Sequence, residues 1–463
     1  MIDEGEDSMR PVRSASKSAS LPLVLLAALA TSPAYAQDDP KPAAATEPAP
    51  ASADDQYVED GSSSGTDILS ADTLTLMGDA RLVLADGHKS FADGGFGKTR
   101  FDGTGKGDYR LQAIPVEGDL IWQPRFTGTV SGNVSVAWQR DQENAVDVLE
   151  GYLTFIPKRS GNVNVSFKAG LYWPEISLEH ATGGAWSTVY TITPSAINSW
   201  VGEEVKVVGL EATVRASLGN QEVSFSGAAF GFNDTSGTLL SFRGWALHDL
   251  KATAFGHFKL PPLNAFMSGA QQNETRSLFE IDNRVGFYGR AEWRPSSALV
   301  VNAFYYDNRG DPEAFSKTLQ WGWRTRFGNV GMVADLGPRT RLVAQGMIGS
   351  TIMGKVPTNA TERWVHTHFR SAFALLSQQI GKGALSGRVE WFGTREMGSR
   401  MSNTDEPENG WATTVALRWP LWRRFTGFLE ALHVDSTRGA RARAGIPAQE
   451  TQTVLQAALR FSW

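Results

Sequence analysis

Residues 163–173 read Val163-Asn164-Val165-Ser166-Phe167-Lys168-Ala169-Gly170-Leu171-Tyr172-Trp173, and their character changes from one position to the next. Successive side chains of a β-strand point to opposite faces, so the odd-numbered residues of this stretch form one apolar face. The even-numbered residues form a face that is mostly polar or small. The stretch predicts a strand with one face against an apolar medium and the other against water.

The same period of two recurs from about residue 70 to the end of the chain. In residues 285–294, for example, Phe287 and Trp293 share a face opposite Arg290 and Glu292. Counting such segments predicts 16 strands. Their expected spans are roughly 72–85, 111–126, 132–141, 145–156, 162–173, 205–218, 222–232, 284–294, 299–307, 323–336, 341–351, 366–377, 385–394, 411–418, 424–434 and 451–463.

Three features favour a membrane barrel over a soluble β-sandwich. The strands are about ten residues long, which is the length that a tilted membrane strand needs. Trp138, Trp173, Trp293 and Trp391 lie at strand ends on apolar faces, as in an aromatic girdle. Short and long connections alternate, as periplasmic turns and extracellular loops do. We expect an all-β fold, a 16-stranded antiparallel transmembrane β-barrel over residues 67–463, in which the long loop 233–283 has room for an extra hairpin.

The N-terminal region predicts export. Residues 1–36 have the features of a signal peptide, with the bases Arg10, Arg13 and Lys17 before an apolar run from Leu21 to Ala30 and an Ala34-Tyr35-Ala36 cleavage site. Residues 37–66 are rich in Pro, Ala and Ser and predict a disordered periplasmic leader. The chain has no cysteine and a net charge of −5, which excludes Cys-based metal sites and gives no basic excess for nucleic acid.

The C-terminus carries a resemblance. The chain ends Ala458-Leu459-Arg460-Phe461-Ser462-Trp463, with apolar residues at alternate positions and a terminal aromatic. It resembles the assembly signal of Gram-negative outer-membrane barrels, in which Phe461 and Trp463 would be read by the barrel-assembly machinery. The strand count is similar to that of 16-stranded porins. The stretch 170–179 looks like the G-x-[FY]-K-x-P-F-S-L-E segment of the phosphate-selective porin O/P-like group, with agreement at Gly170, Tyr172, Ser177, Leu178 and Glu179.

The resemblance implies a bacterial outer-membrane location, contact with outer-membrane lipid and a homotrimer. It also implies that residues 174–204, after the fifth strand, fold into the lumen and narrow it. Hydroxyl and aromatic side chains in this segment can satisfy a loop backbone inside a wet pore. The alternative is an exposed extracellular loop that caps the barrel. The candidate constriction residues are Glu175, Glu179, Tyr190, Trp200, Glu203 and Glu204.

Charged residues at inward strand positions are the candidates for pore selectivity, because rings of charge set selectivity in narrow pores. The bases exceed the acids among them, which predicts a weak anion preference. The alternative is mutual neutralisation within pairs such as Arg388 with Glu390. The candidates are Lys168, Arg215, Arg290, Arg294, Arg370, Arg388, Arg418, Arg460, Glu211, Glu292 and Glu390.

Signals for catalysis are weak. His366 and His368 share a strand face, but no third metal ligand is forced close, so a wet lumen rim explains them more simply. We therefore expect a passive channel for small hydrophilic solutes, without a cofactor, a metal or enzymatic activity. The alternatives are an outer-membrane enzyme of lipase or protease type, a plugged structural or adhesive barrel, and a soluble sandwich.

Overall fold

The structure is a computed structural model that describes residues 66–105, 108–158, 161–399 and 407–463. The predicted signal peptide and all of the predicted leader except residue 66 lie outside the described residues. In the described part of the chain, no helix has the length and apolar character that crossing a bilayer requires. The strands, numbered in chain order, are β1 (Leu74–Ala85), β2 (Arg110–Trp122), β3 (Val130–Gln139), β4 (Asp147–Phe155), β5 (Val163–Tyr172), β6 (Val207–Leu218), β7 (Gln221–Gly231), β8 (Phe258–Lys259), β9 (Glu274–Thr275), β10 (Gly286–Ser296), β11 (Leu299–Asp307), β12 (Arg324–Gly337), β13 (Thr340–Met353), β14 (Val365–Ile380), β15 (Gly383–Glu396), β16 (Glu408–Trp422), β17 (Phe425–Arg438) and β18 (Gln449–Ser462).

Sixteen of these strands form a closed antiparallel barrel, and each pairs with its neighbour along the chain. The barrel closes where β1 pairs with β18, from Met77 opposite Ser462 to Ala85 opposite Val454. Closure leaves the barrel no free edge, as a lipid environment requires. The predicted 16-stranded antiparallel barrel is confirmed. The expected extra hairpin is the two-residue pairing of β8 with β9, which lies in the long loop and not in the barrel wall.

The two faces of the wall differ as the sequence period predicts. Large apolar side chains such as Leu210, Phe225 and Val330 are 56–62% exposed on the outward face. Trp293 and Trp391 also point outward. The expectation that Trp173 joins them in an aromatic girdle is wrong. Because β5 ends at Tyr172 and the chain then turns into the barrel, Trp173 is buried.

Connections at one end of the barrel are short and those at the other end are long. The short ones link β2 to β3, β4 to β5, β6 to β7, β10 to β11, β12 to β13, β14 to β15 and β16 to β17. Two helices lie in the long connections: α1 (Ala196–Glu204) between β5 and β6, and α2 (Thr238–Phe242) between β7 and β8. Short 3-10 turns occur at Phe91–Asp93, Met267–Gly269 and Gly439–Ala444.

Candidate functional site in the lumen

The first inner loop, residues 173–206, runs inside the barrel. Every residue of α1 is buried, although the helix belongs to a connection and not to the wall. Ser195 caps this helix, and its Oγ accepts a hydrogen bond from the Asn198 backbone N–H. The carboxylate of Glu390 on β15 accepts a 2.7 Å hydrogen bond from the Ala196 backbone N–H. A wall acid therefore faces the positive end of the helix dipole, which fixes the helix against β15.

Arg388 connects the same loop to the wall at several points. Its Nη1 donates to Glu179 Oε1 at 2.9 Å and to the Thr193 carbonyl at 2.8 Å. Its Nη2 donates to the Pro194 carbonyl at 3.0 Å. The Arg388 and Glu179 side chains are both at most 1% exposed. A buried guanidinium with several hydrogen bonds fixes the loop strongly, because its loss would leave buried carboxylates without their cation.

Glu430 on β17 holds the preceding segment of the loop. Its carboxylate accepts hydrogen bonds from the backbone N–H groups of Ile192 at 2.6 Å and of Thr193 at 3.1 Å. On β18, Arg460 Nη1 donates to the Thr188 carbonyl at 2.9 Å. These contacts attach the first inner loop to β15, β17 and β18, and only β17 and β18 of these three strands are adjacent in the wall.

An aromatic cluster anchors the other side of α1. The Trp200 ring lies 5.3 Å from Phe327 of β12 and 5.2 Å from Phe369 of β14, measured between centroids. It also meets Trp245 at 6.1 Å in an edge-to-face arrangement. Trp200 Nε1 donates to Glu204 Oε2 at 2.7 Å, so the buried indole N–H has a partner.

The second inner loop, residues 232–285, packs against the first through an ion pair. Arg243 donates two hydrogen bonds of 2.6 Å to the two carboxylate oxygens of Glu203. His248 Nε2 lies 3.0 Å from the same carboxylate. Burial alone would raise the pKa of Glu203, but the nearby Arg243 and His248 outweigh burial and lower it to about 2. Glu203 is therefore ionised and binds the two loops together.

Glu204, the next residue, behaves in the opposite way. Burial raises the pKa of Glu204 to about 7, although its carboxylate accepts hydrogen bonds from the Leu239 and Gly237 backbone N–H groups. These two donors stand at the start of α2. Glu203 and Glu204 thus hold the second inner loop in different ways. Glu203 forms an ion pair with Arg243, and Glu204 accepts hydrogen bonds from backbone N–H groups.

A third long connection, between β1 and β2, reaches the second inner loop. Lys98 Nζ donates to the Trp245 carbonyl at 2.9 Å and forms an ion pair with Glu408 of β16. Burial lowers the pKa of Lys98 to about 7, although the carboxylate of Glu408 opposes this change. Arg100 Nη1 lies 3.1 Å from a carboxylate oxygen of Asp249. Segments of three long connections therefore meet inside the barrel.

Most of the predicted wall residues occupy inward positions and are matched by acids. Lys168 lies 3.3 Å from Glu211 and 3.4 Å from Glu175. Arg290 and Arg294 both pair with Glu292. Two further ion pairs join wall residues to each other. Arg215 Nε lies 3.3 Å from the Glu222 carboxylate, and Arg460 Nε lies 2.9 Å from the Asp79 carboxylate. Arg418 is half-buried at an inward position of β16, and Tyr190 is buried in the first inner loop.

Arg370 does not belong to this set. It was expected inward, but it is exposed on the outward face of β14, with its guanidinium 4.8 Å from the centroid of the Trp391 ring. His368 is exposed on the same face, and the His366 ring lies 4.6 Å from the His368 ring. The interpretation of these histidines as a lumen rim is therefore wrong. The inward residues of this strand include Phe369 and Phe373, which both belong to the buried apolar cluster inside the barrel, where the Phe369 ring lies 5.2 Å from the Trp200 ring.

Several inward charges were not anticipated from the sequence. Asp79 and Arg81 of β1 form an ion pair at 2.9 Å, and Arg81 also pairs with Asp249 of the second inner loop. Glu117 of β2 pairs with Lys251 of the same loop. The period of two in β1 and β2 is a signal that could have predicted the inward position of Asp79, Arg81 and Glu117. No periodic signal exists for Asp249 and Lys251, because they lie in an irregular segment.

A small cavity remains beside the first inner loop. Its volume is about 60 Å³, room for a few water molecules, and Ser177, His180, Arg290 and Arg294 are among the residues that line it. Ser177 Oγ lies 2.7 Å from His180 Nδ1, which is the Ser–His contact that a hydrolase would need. Burial lowers the pKa of His180 well below its usual range. Within the described ranges, no carboxylate hydrogen-bonds to the His180 ring to orient it as a triad would.

The fold and the lumen together define a class: the barrel has the fold of 16-stranded outer-membrane porins, with long connections folded inside it. A solved structure of similar fold is the outer-membrane channel DcaP of Acinetobacter baumannii, which is 10% identical with a TM-score of 0.51 over 85% of this chain and 99% of that chain. The anion-selective porin of Comamonas acidovorans is 10% identical with a TM-score of 0.44, over 84% and 99% of the respective chains. At this identity the likeness to DcaP establishes the fold alone. No protein-family model matches the sequence, and no curated protein matches it significantly.

Proposed function

We propose that the protein is an outer-membrane porin, a passive diffusion channel for small hydrophilic solutes. The observation that carries this proposal is the contrast between the two faces of one closed 16-stranded wall. The outward face exposes large apolar side chains, whereas the inward face carries arginines, lysines and acids along the lumen. A barrel that needed only a structural core has no reason to line its interior with charge, since burying charges is costly.

The first inner loop supplies the size limit in this proposal. Glu175 and Glu179 begin it, and Tyr190, Trp200, Glu203 and Glu204 lie farther along it, all of them buried or half-buried inside the barrel. Arg388, Glu390 and Glu430 hold this loop in place from the wall. A fixed loop across a charged lumen selects solutes by size and by charge.

We infer a weak anion preference from the short connections and not from the wall. Wall arginines such as Arg294 and Arg460 are matched by acids. The short connections, by contrast, contain no Asp or Glu among their described residues. They carry exposed bases instead, which are Lys158, Arg339, Lys382, Arg423 and Arg424. Asp67 and Asp72 of the segment before β1 lie at the same end, so the bases are in excess there and do not form a ring of one sign. An excess of like charge at one mouth raises the local concentration of the opposite ion.

The burial of the wall beneath the loops favours a second candidate, a barrel whose lumen the loops close. Arg388, Arg438 and Glu408 have side chains that are 0% exposed. The same candidate accommodates the predicted adhesive role of the long loops. A hydrolase is the third candidate, and the Ser177–His180 contact is the feature that supports it.

Single-channel recording in a planar lipid bilayer tests the proposal. The full chain, refolded in detergent, should give stepwise ohmic openings, and in a salt gradient the reversal potential should have the sign of anion preference. A folded, heat-modifiable barrel that never conducts would contradict the channel and support the closed-lumen candidate. Hydrolysis of a short-chain ester that disappears in Ser177→Ala would support the enzyme instead.

The finer relations inferred from the sequence remain part of this proposal. They are similarity to the phosphate-selective porin O/P-like group, trimer formation, and recognition of Phe461 and Trp463 by the barrel-assembly machinery. Both aromatics lie at the short-connection end of the barrel, where Trp463 exchanges two backbone hydrogen bonds with Leu76.

A further inference from the structure

The outward face of the barrel carries a group of bases near its long-loop end. Arg326 of β12, His368 of β14 and Arg395 of β15 are exposed, whereas their chain neighbours Phe327 and Thr394 are buried. Arg370 is exposed two residues farther along β14. We call these four residues, Arg326, His368, Arg370 and Arg395, the outer basic group.

Strand register brings the group together. Arg326 is paired with Ser350 on β13, Ser350 with His368, and His368 with Arg395. Because neighbouring strands are about 4.8 Å apart, these residues form one row about 14 Å long across four strands. Arg370 stands in the row that follows toward the middle of the wall. The four bases therefore face a single patch of the surroundings.

The guanidinium groups of this patch have no carboxylate partner among the described residues. Within the part of the chain that the structure describes, no carboxylate lies within ion-pair distance of Arg326, Arg370 or Arg395. Nearby bases are matched in a different way. Arg324 lies 3.0 Å from Asp307, and His366 lies 2.6 Å from Glu362. Among the described bases at this end of the outward face, the three arginines of the outer basic group thus differ from Arg324 and His366 in having no carboxylate partner.

The bases border a groove of about 920 Å³ on the wall. The groove is deep because two residues in the same cross-strand row as Arg370, Gly328 and Gly393, have no side chains to fill it. Ile348, which is 70% exposed, and Trp391 supply apolar surface in the same groove. The groove therefore combines a positive end near the long loops with an apolar portion toward the middle of the wall.

We infer that this groove binds the phosphorylated headgroup of a lipid in the leaflet on the long-loop side. The inference rests on the membrane placement in the proposed function. Arginines that face lipid are costly unless an anion accompanies them, and a phosphate accepts the fork-shaped donor set of arginine. Acyl chains of the same molecule would cover Ile348 and Trp391. A lipid fits better than a soluble anion because the groove offers both surfaces side by side.

Native mass spectrometry of the full chain in detergent tests the inference. Lipid A, which carries phosphates on acylated sugars, is the probe, and dephosphorylated lipid A and inorganic phosphate are the comparison ligands. The test variant is Arg326→Gln/Arg370→Gln/Arg395→Gln. Its control is Lys382→Gln/Arg423→Gln/Arg424→Gln, which removes the same charge from exposed positions at the opposite end of the barrel.

We expect lipid A to bind the wild-type chain and the control alike, with affinity at least tenfold weaker in the test variant. The affinity of the wild-type chain for dephosphorylated lipid A should be no higher than the affinity of the test variant for lipid A. Equal binding by the test variant, an equal loss in the control, or equally tight binding of inorganic phosphate would each overturn the inference. If the test variant does not fold, Arg395→Gln alone should still weaken binding by about threefold, and unchanged binding would overturn the inference.

Conductance separates this inference from the proposed function. The outer basic group does not face the lumen, so the test variant should conduct as the wild type does. A wild-type barrel that binds lipid A without conducting would contradict the porin and leave the lipid site standing. A conducting barrel that binds no lipid A would contradict the lipid site and leave the porin standing.

Discussion

The guanidinium of Arg388 lies 2.9 Å from Glu179 and, through its Nε, 2.9 Å from Glu390. Arg388 and Glu390 belong to the wall, and Glu179 belongs to the first inner loop. Because Arg388 also donates to the carbonyls of Thr193 and Pro194, one wall side chain binds both the early and the late part of that loop. The position of the loop in the lumen therefore depends strongly on Arg388.

Arg388→Gln should loosen the first inner loop. The change leaves Glu179 and Glu390 buried without their cation, which typically costs about 3–5 kcal/mol. We expect a lower unfolding temperature in detergent and, in planar bilayers, a larger and noisier single-channel conductance. Arg324→Gln is the control, because it removes a wall arginine whose ion pair, with Asp307 of β11, does not involve the first inner loop. Wild-type conductance and stability in Arg388→Gln would show that other contacts hold the loop.

Trp200→Ala should weaken the packing of α1 against the wall and against the second inner loop. The indole is 1% exposed and contacts Phe327, Phe369 and Trp245, so its removal should cost about 3–5 kcal/mol. Unfolding temperature and near-ultraviolet circular dichroism provide the measurements. Trp411→Ala, which removes an indole that is 42% exposed on the outward face, should change both far less. Similar losses of stability in the two variants would mean that packing of Trp200 inside the barrel stabilises the fold no more than an exposed tryptophan does.

The period of two was sufficient to predict the barrel, because lipid outside and water inside impose opposite chemistry on alternate residues. Residues 163–172 follow it along the whole of β5. The period persists along β14, but the expected polarity is reversed, because Arg370 points outward and Phe369 and Phe373 point inward. There the interior is not water but the aromatic cluster of Trp200, so apolar residues occupy the inward face. The alternation in the sequence could not reveal which face of β14 points inward, because that depends on where α1 packs.

Contacts between the inner loops were likewise beyond sequence reasoning. Glu203 was identified as a candidate through its position in the segment 174–204, but its partner Arg243 lies in an irregular segment without periodicity. Loop-to-loop pairing is decided by the closed wall, which confines both loops to one space. The outer basic group was missed for a related reason, because its members are separated in sequence and are joined only by strand register.

The Glu203–Arg243 pair should make stability depend on acid pH. Because the pKa of Glu203 falls from 4.5 to about 2 on folding, the pair contributes stability above pH 4.5 that is lost as the pH falls toward 2. The contribution is on the order of 3 kcal/mol. We expect the unfolding temperature of the wild type to fall over this range more steeply than that of Glu203→Gln.

Glu204→Gln is the companion variant, with the opposite sign. Since burial raises the pKa of Glu204 to about 7, its ionisation opposes folding increasingly as the pH rises from 4.5 to 7. Glu204→Gln should therefore remove a loss of stability in that higher range and leave the acid range unchanged. If the two variants have identical pH profiles, the two adjacent acids do not play the separate roles that the geometry assigns to them.

The basic short connections should set the sign of ion selectivity. Lys382, Arg423 and Arg424 are exposed at one mouth of the barrel, whereas the wall arginines within the lumen are matched by acids. In a salt gradient, Lys382→Gln/Arg423→Gln/Arg424→Gln should move the reversal potential toward cation preference by several millivolts, because removing like charge at a mouth lowers the local anion concentration. The effect should shrink as ionic strength rises, since exposed charges are screened over about 10 Å at 0.1 M salt. Arg326→Gln/Arg370→Gln/Arg395→Gln removes equal charge from the outward face and should leave the reversal potential unchanged. An equal shift in both variants would mean that net charge, and not the mouth, determines selectivity.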